Sequence, residues 1–359
     1  MNLTIPDQSL VVLLGARMPG ALPVDRHDVV DRRLRAGGIT VVDATGASRE
    51  QRAELVVLAK KRNATPVAIA VGMTEWSLRE QGFRRVHVLA DQAAVDAVRL
   101  VAERLPNDRR EETGPFDVIG DVHGCRVELE ELLRELGYVV LHDDRGRAVD
   151  ARHPRGRKVA FVGDLVDRGP DTPGVLRLAM GMAAAGNALC VRGNHEDKLV
   201  KALRGNDVRR THGLAESMDQ LGRESAGFRQ RVLEFCDALV PHYVLDGGAL
   251  VLAHAGLPER YHGRESARMR SLAIWGENTG VSDDDGNPVR YPWAEEYEGE
   301  AVVLYGHTPV ADAKWVNGTL CLDTGCVFGG KLTAMRYPER EIVSVPARRT
   351  WFERPGKLR

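Results

Sequence analysis

Short apolar, β-branched runs recur along the chain, and several of them end at glycine-bearing polar clusters. In the first hundred residues Leu10 to Leu14, Ile39 to Val42, Pro66 to Val71 and Val86 to Leu89 each have the length of a buried strand. Helical spacing fills the intervals. Ser48 can cap a helix over Arg49 to Lys61, with Leu55, Leu58 and Ala59 on its apolar face, and Gln92 to Leu105 reads as a second helix. Strands apolar on both faces, alternating with helices, predict a small parallel-sheet unit over residues 1–105. Residues 106–115 are polar, charged and closed by Gly114-Pro115, which predicts a linker. A larger α/β unit is expected over 116–359. Its helices are Glu128 to Leu136, stopped by Gly137, and Val175 to Ala185, which leads into a strand at Ala188 to Val191. The basic stretch Asp143 to Lys158 reads either as a solvated hairpin or as an arm that tracks phosphate.

Five polar clusters punctuate this second unit: Gly120-Asp121-Val122-His123-Gly124, Gly163-Asp164-Leu165-Val166-Asp167-Arg168-Gly169, Gly193-Asn194-His195-Glu196, His254-Ala255-Gly256 and Gly306-His307-Thr308. The runs Phe116 to Ile119, Val159 to Val162, Leu250 to Ala253 and Ala301 to Tyr305 lead into four of them, as strand ends lead into sites at a sheet edge. Any one cluster suits an ordinary turn. Together they hold enough carboxylate, amide and imidazole groups for two divalent metals, which implies metal-assisted phosphoester hydrolysis. Asp121 and His123 stand two apart on what should be an extended segment, so they share a face and can hold one metal. Asp164 can bridge two, while Asn194, His254 and His307 serve the second. Such a pair clamps the attacking and leaving oxygens and activates a hydroxide. His195 is then the candidate general acid, Asp167 its orienting partner, and Arg168 a planar fork for phosphate oxygens.

Composition adds boundaries. A chain of 359 residues with 43% hydrophobic content can bury two cores, and its net charge of −1 advertises no global nucleic-acid surface. No apolar run approaches the roughly 20 residues of a membrane span, and no signal-peptide pattern opens the chain. The five cysteines are odd in number and form no CxxC pair. A reducing cytoplasm is the expected location.

The five clusters resemble the phosphoprotein-phosphatase branch of the metallophosphoesterases. That resemblance implies a metallophosphoesterase β-sandwich flanked by helices. It also implies a first metal, usually manganese with nickel or cobalt in its place, on Asp121, His123 and Asp164. The second metal would lie on Asp164, Asn194, His254 and His307, with His195 and Asp167 as an acid dyad. Thr211-His212-Gly213-Leu214, the segment from Trp275-Gly276-Glu277 to Arg290-Tyr291-Pro292-Trp293, and the run Leu322 to Thr333 are similar to the phosphatase module of bacterial polynucleotide kinase-phosphatase, an RNA-repair family. By that likeness Asp323 joins the active site; by its own context it is equally a turn residue before Gly325. Leu3-Thr4-Ile5-Pro6, Leu10 to Gly15 and Val41 to Thr45 look like pieces of that family's P-loop kinase module. Gly15 and Gly20 keep the P-loop spacing, but Ala21 and Leu22 replace the lysine and hydroxyl that phosphoryl transfer needs. The segment from Gly20 to Val41 is short for the family's helices and lid, and Asp25, Asp28 and Asp31 are the candidates for the place of the kinase's catalytic aspartate. Arg17 could bind an anion by accident. A degenerate P-loop-kinase-like relic is expected, with no ligase-sized module after Arg359. The substrate would be an RNA end or nucleotide carrying a phosphomonoester or cyclic phosphodiester. The same metal site equally suits dinucleoside polyphosphates or a phosphoserine or phosphothreonine protein, and a docking role would need no metal site at all. Protein partners are not readable.

Overall fold

The strand Ser9–Leu14 is buried along its whole length and lies parallel between Ile39–Asp43 and Thr65–Val71. Leu22–Pro23 and Arg85–Leu89 complete the edges of a five-stranded, all-parallel sheet. Residues 1–103, 105–282 and 288–353 are described in this computed structural model, which divides into two units. The first comprises Met1–Pro106 with Arg264–Arg268, the second Asn107–Gly263 with Met269–Arg359. In the first unit, the helix Arg49–Lys61 begins where expected. Ser48 accepts from the Gln51 amide and the Gln51 side chain returns to the Ser48 amide, satisfying two otherwise orphaned donors.

One expectation for this unit fails. The helix from Gln92 ends at Asp96, and Arg99–Glu103 is instead a strand parallel to Asn2–Pro6; Arg104 lies outside the described residues. Leu3 and Ile5 are buried, and pairing with Arg99–Glu103 completes their backbone hydrogen bonds, which outweighs local helical spacing. After Gly20 the chain enters the Leu22–Pro23 strand rather than a helix, and the ten-residue helix His27–Ala36 follows. A helix N-terminus opening directly from the glycine pair, the usual phosphate cradle, is therefore missing there. Asp31, on that helix, is taken up by ion pairs with Arg62 and Arg35.

The second unit is a sandwich of two mixed sheets. One runs Ala188–Cys190, Lys158–Phe161, Phe116–Ile119, Lys331–Tyr337, Glu341–Pro346, the first three parallel. The other runs Trp315–Val316, Thr319–Cys321, Val302–Tyr305, Leu250–Ala253, His242–Leu245, Asp108–Arg109. Phe116, Val118, Ala160, Val162 and Met335 from the first sheet pack with Leu250, Leu252, Leu304 and Leu320 from the second. Alternation sends Ile119, Val159 and Phe161 to the opposite face, where the helices Arg126–Glu135 and Thr172–Ala184 cover them. The strands Phe116–Ile119, Lys158–Phe161, Leu250–Ala253, Val302–Tyr305 and Thr319–Cys321 all stop just short of a predicted site residue.

The expected linker is part of this unit. Asp108–Arg109 adds a parallel strand to His242–Leu245, and Asn107 is buried against His242. The basic stretch contains the hairpin Val139–His142 and Ala148–Arg152. Three of its basic groups already have acidic partners: Arg157 is buried on Asp117 and Glu339, Arg147 binds Asp143, and Lys158 binds Glu112. A guanidinium already committed to a buried carboxylate is not offered to a ligand.

Candidate active site

Strand ends and tight turns bring the predicted residues together. Asp121 and His123 follow Phe116–Ile119; Asp164, Asp167 and Arg168 follow Lys158–Phe161; Asn194 and His195 open the helix Asn194–Leu203; His254, His307 and Asp323 follow their own strands. His123, Asp164, Asp167, Arg168 and His307 all have φ between 46° and 72°. Left-handed backbone at five non-glycine residues costs of order 1 kcal/mol or more apiece and collects where a structure over-determines side-chain position. Two glycines make room for this. A Cβ at Gly163 would press on the Gly193 backbone, and one at Gly306 would collide with the Asp121 carboxylate.

The segment from Asp121 to His123 is not extended as expected. The chain leaves its strand at Ile119 and turns, so His123 faces Asp164 at 3.6 Å while Asp121 accepts from the His307 amide at 3.1 Å. Two ligand groups centre on Asp164: His123 and His195 on one side, His254 and His307 on the other. Asn194 Oδ1 lies 2.9 Å from His254 Nε2 and 2.8 Å from His307 Nδ1, and His254 Nε2 is 3.3 Å from Asp164 Oδ1.

The donor set fits cations. His254 Nδ1 donates to Val162 O at 3.0 Å and His123 Nδ1 to Val166 O at 2.8 Å. Each bond turns the Nε2 lone pair inward, the usual way a backbone carbonyl orients a metal-binding imidazole. Lone pairs and carboxylate oxygens facing one another at these distances call for a positive charge between them. Burial, with Asp323 and Asp164 close by, pushes Asp121 well above the usual carboxylate range. Burial likewise raises Asp323 to about 6. Asp164 is held well below its ordinary value, against burial, by the His254 and His195 imidazoles. His123 and His307 are both driven well below the ordinary imidazole value by burial. Imidazoles beside crowded carboxylates make a donor set suited to divalent cations.

On the His123 side, His195 Nδ1 meets Asp167 Oδ2 at 2.6 Å, and the His195 amide donates to Asp164. Arg168 donates from Nη1 to His123 Nε2 at 2.7 Å and lies 5.2 Å from the Phe328 ring; its Nε is buried without a partner. Asp323 accepts from the Gly325 amide at 3.0 Å, the turn role, while its charge also acts on Asp121.

Several contributors had no assigned role in the sequence. Glu196 takes the amides of Asp164, Leu165 and Gly193 at 2.8 to 2.9 Å, and burial beside Asp164 pushes it up to about 7. Its place three residues after Gly193 is that of a capping-box glutamate, so helix-start spacing was its available signal. Thr172 and Ser217 hold the Asp167 amide. His212 and Lys198 lie near Arg168 and Asp167, each lowered by burial.

Residues 114–328 match the calcineurin-like phosphoesterase family. The chain belongs to that family. Its members use two divalent metals, and the groups around Asp164 are the residues able to hold them. The phosphoesterase is similar to bis(5'-nucleosyl)-tetraphosphatase PrpE [asymmetrical] of Anoxybacillus flavithermus, 42% identical over 236 residues, 65% of this chain and 94% of that protein. The protein of the same name from Bacillus subtilis is 39% identical over the same shares of each chain. A solved structure provisionally assigned as a diadenosine tetraphosphatase shares 27% identity, covering 67% of this chain and 96% of that one, with a TM-score of 0.48. None of these comparisons bears on a kinase-like first unit. No helix among the described residues is long and apolar enough to cross a membrane.

Proposed function

We propose that this phosphoesterase hydrolyses dinucleoside polyphosphates, with two divalent ions, manganese first among them and nickel or cobalt in its place, held around Asp164. The observation that carries this reading is the ligand set around Asp164, taken together with relatives named for tetraphosphate hydrolysis along 94% of their length. The first ion is assigned to Asp121, His123 and Asp164, the second to Asp164, Asn194, His254 and His307. Bound metals supply Lewis-acid stabilisation of the phosphoryl oxygens and a nucleophile available near neutral pH. The protein's own residues do the rest. Arg168 presents its guanidinium to phosphate oxygens, and His195, with Asp167 fixing Nδ1, directs Nε2 toward the leaving oxygen. Asp323 adds charge beside Asp121.

A second reading, hydrolysis of a 2′-phosphate or 2′,3′-cyclic phosphate RNA end, is favoured by the Leu322 to Thr333 run. On that reading the first unit is a kinase relic without phosphoryl transfer. One panel separates the readings: manganese-loaded protein given diadenosine tetraphosphate, a cyclic-phosphate RNA end and a phosphoserine peptide. Turnover of the tetraphosphate to one mono- and one triphosphate, at a kcat/KM at least tenfold above the other two, is expected. Preference for the RNA end or the peptide would overturn the first reading.

A further inference from the structure

Outside the Asp164 ligand groups, three more ligand-type side chains converge in the interior. Cys125, Glu128 and Cys326 are 0%, 0% and 1% exposed, and one ligand atom from each lies within 4.8 Å of the others. Cys125 precedes the helix Arg126–Glu135 and Glu128 follows one turn later, so both point the same way. Cys326 arrives from the other side, in the turn that Gly325 opens with φ 69°.

Glu128 is the anomaly. Its Oε1 accepts from the Arg348 amide at 3.0 Å and from Trp351 Nε1 at 2.8 Å, yet Oε2 is buried without any partner. The Arg348 guanidinium is bonded to Glu131 instead, and among the described residues no Lys, Arg or His pairs with Glu128. A buried carboxylate with no counter-charge is costly, and a cation held by the three side chains would supply that charge. The Cys125 thiol now donates to His123 O and also hydrogen-bonds Cys326; with those protons displaced by a metal, two sulfurs and a carboxylate make a donor set suited to a borderline-soft ion. Tetrahedral zinc with Zn–S near 2.3 Å needs sulfurs about 3.8 Å apart, inside the observed spread.

We propose that Cys125, Glu128 and Cys326 bind a structural ion of the zinc class, separate from the Asp164 centre. The two donors on Oε1 orient the carboxylate so that Oε2 faces the ion. Such an ion ties the turn carrying His123 to the turn carrying Asp323. It also anchors the segment around Trp351, whose amide already donates to Val327 O. Because the site is closed, the ion enters during folding.

Cobalt(II) reports on this site alone, because a thiolate–cobalt charge-transfer band in the near ultraviolet needs sulfur and the Asp164 centre offers none. Full-length protein is produced in cobalt-supplemented medium and purified with reductant. The band is expected in the wild type and in Asp164→Ala. It should disappear in Cys326→Ser, and Glu128→Gln should lose cobalt to a chelator at least tenfold faster. A wild type without the band overturns the proposal, as does a band that survives Cys326→Ser. So does loss of two of the five thiols in the denatured wild type, which would assign the pair to a disulfide.

Discussion

Glu196→Gln is an isosteric change that tests how the site is held. Glu196 now accepts three buried backbone amides, Leu165 on Oε1 and Asp164 with Gly193 on Oε2. Glutamine keeps one oxygen, so at least one buried amide faces an NH2 group and loses its acceptor, at about 1–3 kcal/mol. At pH 8, above the value of about 7 to which Glu196 is raised, the bonds that survive lose their charge assistance, about 1 kcal/mol each. The sum is roughly 3–5 kcal/mol. For a unit of this size each kcal/mol moves Tm by about 2–4 °C, so a fall of roughly 6–20 °C is expected. The released backbone belongs to Asp164, whose φ of 50° must otherwise be enforced. Manganese should therefore bind about 10- to 100-fold more weakly, the usual cost of losing a partner that orients ligands. Thermal unfolding by circular dichroism gives the first quantity. The manganese concentration for half-maximal turnover gives the second, with kcat recovering when manganese is raised. A Tm within 2 °C of wild type together with unchanged manganese dependence would refute the reasoning.

His195→Ala should slow alkyl phosphates by about 10²- to 10⁴-fold while changing nitrophenyl phosphate far less, because a good leaving group needs no proton; equal losses on both would remove His195 as the acid. His242 accepts from the Gly263 amide at 3.0 Å, and burial pushes its pKa down to about 3. Its folded value lies below the unfolded one of about 6.5, so the stability it contributes is complete above that pH and is lost as pH falls toward 3. Urea midpoints should show the wild type losing about 2 kcal/mol more than His242→Gln between pH 7 and pH 5; equal losses would contradict this. The first unit should not bind ATP. Its cavity of about 380 Å³ beyond the ends of Ser9–Leu14 and Ile39–Asp43 is lined by Arg17, Asp25, Asp43 and Thr45, with no lysine among the lining residues. Micromolar ATP binding by calorimetry, or phosphate transferred to a 5′-hydroxyl RNA, would show a working kinase.

The sandwich strands were legible because both faces are covered: Phe116–Ile119 and Leu250–Ala253 are unbroken apolar or buried runs that end at a polar turn. The helix Arg49–Lys61 was legible to the residue because its capping box is local. What sequence spacing could not supply was long-range pairing. Arg99–Glu103 has acceptable helical character and becomes a strand only because Asn2–Pro6 needs a partner. Asp108–Arg109 looks like linker until His242–Leu245 offers it an edge. In the candidate site, residue identities came from glycine-bearing motifs, but directions did not. His123 takes a positive φ rather than the extended backbone its spacing from Asp121 suggested, and the three amides that Glu196 holds come together only in the fold.

The central claim is that metal held around Asp164 drives hydrolysis of a dinucleoside polyphosphate. Protein stripped with chelator and dialysed should leave diadenosine tetraphosphate intact, then convert it to AMP and ATP when manganese is restored. Asp164→Asn should stay inactive at every manganese concentration, its folded state verified by circular dichroism. Full turnover by the stripped protein, or by Asp164→Asn, would contradict the account.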